Sequence, residues 1–274
     1  MNSYESYHIS FKPRSPLITP LQSDTLFGHV AWALRYLQGE TKLLKFLDAF
    51  EDDTEASFLI SDGFPENQLP KPFFRALRMS TVENFMAKAA VVHEIDLNSE
   101  RKTKIQKALK NQKYFGLETV KKIQSNFTAE TLLEASLDQI NWKEIKNGKQ
   151  AIGTAKKSET IVMYHNTVNR IYGQVLEGLY QQATQFYADD YKFDVYLKTN
   201  YFTEPVLKQI FDFIEHNGFG RDKSTGKGYF KIEVQEDRKL PPIHDANAFM
   251  VLSHYVPNAN APKRGFYRLM TKYG

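Results

Sequence analysis

The sequence predicts an α+β fold in which two helices cover one face of an antiparallel sheet. Three observations lead there: an alternating strand followed by an amphipathic helix at the N-terminus, the same pairing repeated past residue 190, and a last alternating strand behind a glycine-rich loop. Tyr7, Ile9 and Phe11 alternate with polar residues, as a half-buried strand does. Ser23-Asp24 then opens a helix whose Leu26, Phe27, Val30, Ala31, Leu34 and Leu37 recur at helical spacing. A second short helix is expected from Lys42 to Phe50 and a strand from Ser57 to Ser61. Further along, Phe193, Val195 and Leu197 alternate with Asp194, Tyr196 and Lys198. Thr203-Glu204-Pro205 supplies the hydroxyl, acidic first turn and early proline of a helix start; Val206, Leu207, Ile210, Phe211 and Ile214 form its apolar stripe, and Gly218 ends it. Phe230, Ile232 and Val234 alternate as the final strand. The order is β-α-β-β-α-β, the ferredoxin-like arrangement, which leaves one sheet face free to bind.

This body spans residues 1–240. Within it, about 79–160 (Met79 to Ile161) is helix-prone and lysine-rich without alternation, and reads as an insertion. Pro241-Pro242 marks a break. Beyond it, over 241–274, Phe249 to Tyr255 and Phe266 to Met270 are expected as strands of a second ferredoxin-like copy. Gly274 follows so closely on the last of these that further chain is expected after it.

The 274 residues are 42% hydrophobic, enough for a substantial core. No cysteine is present, which excludes disulfides and thiol catalysis, and no apolar run is long enough to span a membrane. Without a secretion signal at the N-terminus, a cytoplasmic location is expected. The net charge is only +4, but it is unevenly spread. From Glu100 to Lys122, Arg101, Lys102, Lys104, Lys107, Lys110, Lys113, Lys121 and Lys122 outweigh two glutamates. Two readings stand open: a phosphate-contacting arm, or a solvated helix with Ile105, Ala108 and Leu109 turned inward.

The densest signal is Gly218-Phe219-Gly220-Arg221-Asp222-Lys223-Ser224-Thr225-Gly226-Lys227-Gly228. It is not a P-loop, because five residues separate Gly220 from Gly226 and Gly228 follows Lys227 where a Ser or Thr is required. It is not a dinucleotide fingerprint either, since Lys223 occupies the third glycine position and the order is helix-loop-strand. Gly218, Gly220, Gly226 and Gly228 are expected to bring main-chain amides to a phosphate backbone, assisted by Arg221, Lys223, Ser224 and Lys227.

Other candidates carry two readings each. Ser23, Asp24 and Thr25 either cap a helix or offer its free amides to a phosphate oxygen. His165, Asn166, Thr167, Asn169 and Arg170 follow apolar Ile161-Val162-Met163, where a strand leaving the core would present donors to bases or phosphates or hold a structural network. Lys71, Arg75 and Arg78 alternate with Phe73, Phe74 and Leu77, a pattern that stacks and neutralises RNA or simply packs a core. His93-Glu94 and Asp189-Asp190 lack partners at metal-ligand spacing, so neither metal nor cofactor is expected.

Four segments together carry a resemblance: Thr19-Pro20-Leu21-Gln22-Ser23-Asp24-Thr25-Leu26-Phe27-Gly28-His29; Ser61-Asp62-Gly63-Phe64-Pro65 with Leu69-Pro70-Lys71-Pro72; His165-Asn166-Thr167-Val168-Asn169-Arg170; and the glycine loop. The sequence resembles the RAMP superfamily of CRISPR proteins, and most closely the fourth-subunit family of the Csm series, which binds the crRNA 5′ tag in type III-A interference complexes of antiviral defence. The resemblance implies two ferredoxin-like folds, no catalysis, and as partners the crRNA 5′ tag, the large Cas10-type subunit and the backbone RAMP subunits, with no membrane. It also implies a thumb-like hairpin that kinks the guide, for which the segment from Met79 to Ile161 is the candidate. Some RAMP relatives instead cut guide precursors without metal, and His29 would then be general acid or base. Against that alternative, His29 lies inside the first helix between apolar Phe27 and Val30, with no adjoining lysine or tyrosine. A third reading is an assembly subunit that touches only protein.

Overall fold

A computed structural model describes residues 4–50, 56–147, 158–169, 171–237, 240, 246, 248–256, 264–269 and 271. The architecture is mixed α/β with antiparallel sheets, and the chain divides into two compact units, Met1–Glu66 with Lys156–Val256 and Asn67–Ala155 with Pro257–Gly274.

The first unit begins with β1 (Glu5–Pro13), α1 (Ser23–Gln38), α2 (Glu40–Asp48), β2 (Phe58–Ile60) and β3 (Phe64–Pro65). The second unit contributes β4 (Gln68–Pro70), α3 (Met79–Val92), α4 (Ser99–Asn111), β5 (Tyr114–Gly116), α5 (Leu117–Ile123), α6 (Ala129–Asp138) and α7 (Trp142–Lys146). The chain then returns to the first unit with β6 (Ser158–Val168), β7 (Val175–Tyr187), β8 (Phe193–Thr199), α8 (Glu204–Asn217) and β9 (Phe230–Glu236).

The main sheet of the first unit runs β2-β8-β1-β9, with β3 added to β8, and every pairing is antiparallel. Its order follows from alternation. Tyr7, Ile9 and Phe11 of β1, Phe193, Val195 and Leu197 of β8 and Phe230 and Ile232 of β9 turn to one side, where Leu26, Val30, Ala33 and Leu34 of α1 and Leu207, Ile210, Phe211 and Ile214 of α8 bury them. Each such side chain withdrawn from water contributes about 1.5–3 kcal/mol before ordering costs. The opposite side carries Ser10, Lys12, Asp194, Lys231 and Glu233 by the same period of two. Buried there too are His8 and Asp194, joined at 2.8 Å, with the Tyr196 ring against His8.

The second unit is mostly helical, as its composition suggested, around Met86, Ala90, Ile105, Leu137, Trp142 and Ile145. It departs from a thumb-like hairpin: the described residues from Met79 to Asn147 form five helices and one short strand. The long hairpin lies later, where β6 and β7 pair over Ser158↔Tyr187 to Val168↔Val175. Ile161 and Val162 are 43% and 50% exposed, so the apolar run read as a strand leaving the core is part of a ribbon open to solvent.

The strand expected from Phe249 to Tyr255 is absent among the described residues, as is that over 266–269; Met270 lies outside them. No described strand offers a ladder to the first of these segments. It is held instead by single bonds, Asp62 N to the Leu252 carbonyl at 2.9 Å and His254 N to Ser23 Oγ at 3.1 Å. Among the described residues no helix is long and apolar enough to cross a membrane.

Candidate nucleic-acid interface

Helix α8 ends at Gly218 and β9 starts at Phe230, so the eleven residues between them must reverse the chain beside the end of β1. Gly218, Gly220, Gly226 and Gly228 have φ of +74°, +74°, +83° and +76°, and Asp222, with φ +59°, joins them in the left-handed region. Two of these glycines are also enforced by space. A Cβ on Gly228 would stand 2.0 Å from the Phe219 carbonyl oxygen, and one on Gly220 2.5 Å from Thr19 Cβ. The loop is therefore a fixed turn.

The amides of its four glycines are committed to the protein itself, contrary to the expectation that they are presented to an anion. Gly218 N donates to Ile214 O, Phe219 N to Gly228 O, Gly226 N to Lys223 O and Gly228 N to Pro16 O, at 2.8–3.3 Å. Gly220 N donates to His29 Nε2 at 3.0 Å and Arg221 N to Thr19 Oγ1 at 2.9 Å. What the turn shows to solvent is side chains: Arg221, Lys223 and Ser224 are exposed and Lys227 half-buried. Lys227 Nζ reaches Gln182 Oε1 at 3.4 Å, and Gln182 Nε2 donates to Asp222 Oδ2 at 2.8 Å, which pins the turn to β7. That bond holds the Asp222 carboxyl below the usual carboxylate range, with Arg221, Lys227 and His165 reinforcing it.

His29 acts as a strut. Its Nε2 accepts the Gly220 amide, its ring lies 4.7 Å from that of Phe219, and burial, with Lys223 beside it, holds the imidazole down at about 4. A neutral ring whose Nε2 lone pair is occupied cannot take up a proton there without releasing the turn.

The first-unit candidates meet the turn to different degrees. His165 is near enough to help hold the Asp222 carboxyl down; its ring stacks on Tyr180 at 5.5 Å, and its Nε2 is buried without a partner among the described residues. Asn166, on the same strand, is exposed. Asn169 has a structural task, since its Oδ1 accepts the Ile171 amide at 2.8 Å and shapes the hairpin tip. Arg170 lies outside the described residues.

Ser23, Asp24 and Thr25 open α1, and none of them is its N-cap. Gln22 is the N-cap and gives no side-chain bond. The Ser23 amide goes to Asp62 Oδ1 at 2.7 Å and the Thr25 amide to Asp24 Oδ1 at 2.7 Å, so both donors meet carboxylates of this chain. In the second unit, Lys71 is turned inward, its Nζ 3.4 Å from the Leu109 carbonyl and 5.7 Å from the centre of the Phe115 ring, and burial lowers its pKa. Arg75 is exposed beside half-buried Phe74, which packs with Phe115 and Leu132.

Reading the sequence missed Gln182, 40 residues before Asp222 and one of several polar residues on β7; only its register marks it out. It also gave no role to Thr19 or Asp62, although both stand in the segments that carry the RAMP resemblance.

No protein-family model matches the sequence, and no curated protein matches it. Solved structures do. The chain is similar to one in the crystal structure of the Csm3-Csm4 subcomplex of the type III-A CRISPR-Cas interference complex, with TM-score 0.52 and 16% identity over 89% of this chain and 74% of that one. It also matches a chain of a Csm1-Csm4 cassette in complex with pppApA, at TM-score 0.48 and 15% identity over 87% and 72%. A chain of the type III-B Cmr-beta complex bound to cognate target RNA follows at 0.39 and 12%, over 85% and 61%. The neighbours are thus chains of type III CRISPR effector assemblies. At such identities the likeness is one of fold, and it agrees with the RAMP resemblance of the motifs.

Proposed function

We propose that this protein is the non-catalytic subunit of a type III-A CRISPR effector complex that holds the 5′ repeat-derived tag of crRNA. In the same complex it would bridge the large Cas10-type subunit and the backbone RAMP subunits, in the cytoplasm. Support comes from the fold likeness and from sheet topology. Counting only β1, β2, β8 and β9, the strands fall in the order second, third, first, fourth, and α1 and α8 link first to second and third to fourth, which we take as one ferredoxin-like copy. The β6–β7 ribbon, rather than the helical segment before it, is our candidate for the thumb that kinks the guide.

A single observation carries the RNA reading: Arg221, Lys223 and Lys227 stand on a turn whose backbone is fixed from within, so their charges are positioned before RNA arrives. Contacts of this kind place a strand without reading its bases. The nuclease alternative is disfavoured because the one histidine on α1 is occupied as a hydrogen-bond acceptor. Lys223→Ala with Lys227→Ala, introduced into a co-expressed complex, is expected to lower the guide RNA recovered by roughly tenfold at about 150 mM salt, since two phosphate contacts are lost. Undiminished guide content would refute the assignment.

A further inference from the structure

The sheet face opposite the helices holds a cleft that none of the motifs described above includes. Ser10, Lys12, Arg14, Lys192, Lys231 and Glu233 line a cavity of about 230 Å3. Its charges come from the register. Lys12 stands directly across from Lys231, and because Phe11 pairs with Phe193, Lys192, just before β8, falls on its other side, so the three lysines form a row. Like charges in cross-strand positions destabilise a sheet unless an anion lies between them. Two of the row are already neutralised: Lys231 by Glu215 at 3.0 Å and Lys192 by Glu66 at 3.6 Å. Lys12 and Arg14 have no acidic partner among the described residues, and Glu233 is the one carboxylate in the lining.

The position of this cleft indicates what fills it. The chain that carries Lys12 and Arg14 runs directly under the glycine turn, where Arg14 N donates to Tyr229 O, Tyr229 N to Ser15 Oγ, and Gly228 N to Pro16 O. The segment that carries Lys12 and Arg14 is thus tied directly to the turn that carries Arg221, Lys223 and Lys227. We propose that the cleft is a second phosphate site, in which Lys12 and Arg14 hold backbone phosphates of the same single-stranded RNA that the turn engages. This rests on the reading of the turn as an RNA contact and adds the path that the strand takes. An acidic peptide is the competing occupant; the continuity with the turn favours RNA.

Fluorescence anisotropy of labelled oligouridylate on the full chain, titrated across salt, tests it. Lys12→Gln with Arg14→Gln is expected to weaken binding roughly tenfold and to flatten the slope of log affinity against log salt by about 2, as the loss of two phosphate contacts requires. Lys12→Arg with Arg14→Lys should restore both, and the glutamine pair should melt no lower than wild type, because it relieves the opposed charges and these side chains lie outside the apolar core. If the glutamine pair binds like wild type while Lys223→Ala with Lys227→Ala is impaired, the cleft is refuted and the turn stands. If the reverse holds, the turn is refuted as an RNA contact and the cleft stands. Failure of the wild-type chain to bind oligouridylate at any salt would remove both, and displacement of RNA from the cleft by equimolar polyglutamate would assign it to an acidic protein partner instead.

Discussion

In the glycine turn, Arg221, Lys223 and Lys227 project from a backbone whose amides reach Pro16, Thr19 and His29, about 200 residues away in sequence. In α4, Lys102, Lys107 and Lys110 project from a helix whose ties are made by other residues: Asn98 Oδ1 accepts the Arg101 amide at 2.9 Å, Lys104 meets Glu100 at 2.6 Å, and only Ile105 is fully buried. Both segments looked like phosphate contacts in the sequence. They differ in what sets the direction of their charges. The turn is held by long-range bonds and by glycines with no room for a side chain, whereas the lysines of α4 have the freedom of a solvated helix face, the second of the two readings their spacing allowed. Fixed charges lose less entropy when a strand binds.

The largest effect that would break this contrast is steric. Gly228→Ala is expected to cost about 3 kcal/mol or to prevent folding, since its Cβ would overlap the Phe219 carbonyl at positive φ. Gly226→Ala, at φ +83° with nothing within 4 Å, should cost only about 1 kcal/mol. Urea unfolding of the two variants measures the difference; equal losses would mean that the turn is not wedged against Phe219.

Acid comes next. His29 is held at about 4 against an ordinary 6.5, so between those values the unfolded chain binds the extra proton, and stability falls as pH drops from 6.5 towards 4. The loss is about 2 kcal/mol after allowance for partial exposure. Melting at pH 7 and pH 4.5 should show this component in wild type and lose it in His29→Gln, whose amide oxygen can still accept the Gly220 proton. The smallest effect belongs to α4: Lys107→Ala should leave the melting temperature unchanged, because its side chain stands on the exposed face of the helix. A clear drop would show that the helix depends on its charges more than the contrast allows.

The strands and helices of the main sheet were legible because each shows one apolar face at a single period, as Tyr7-Ile9-Phe11 and the Leu207 to Ile214 stripe do. The β6–β7 ribbon was not, for Ile161 and Val162 are adjacent and both exposed, while the residues that β7 buries in alternation, Gln182 and Thr184, are polar. Phe249, Met250 and Val251 misled in the opposite sense, being apolar residues that pair with no strand among the described residues. At the turn, glycine content correctly indicated a constrained backbone, but the acceptors that take its amides lie at Pro16, Thr19 and His29, beyond any local pattern. The same holds at α1, where the group that meets the first helical amide is Asp62, 39 residues on.

One feature of the sheet bears on how the molecule is made. Among the described residues β1 pairs only with β8 and β9, and β2 only with β8, so on the ribosome both wait as unpaired edges until the polypeptide has grown by well over a hundred residues. The helices of the second unit, whose contacts are local, can assemble meanwhile. Birth order therefore runs opposite to chain order: the middle matures first, and the N-terminal strand is sealed last, when β9 emerges.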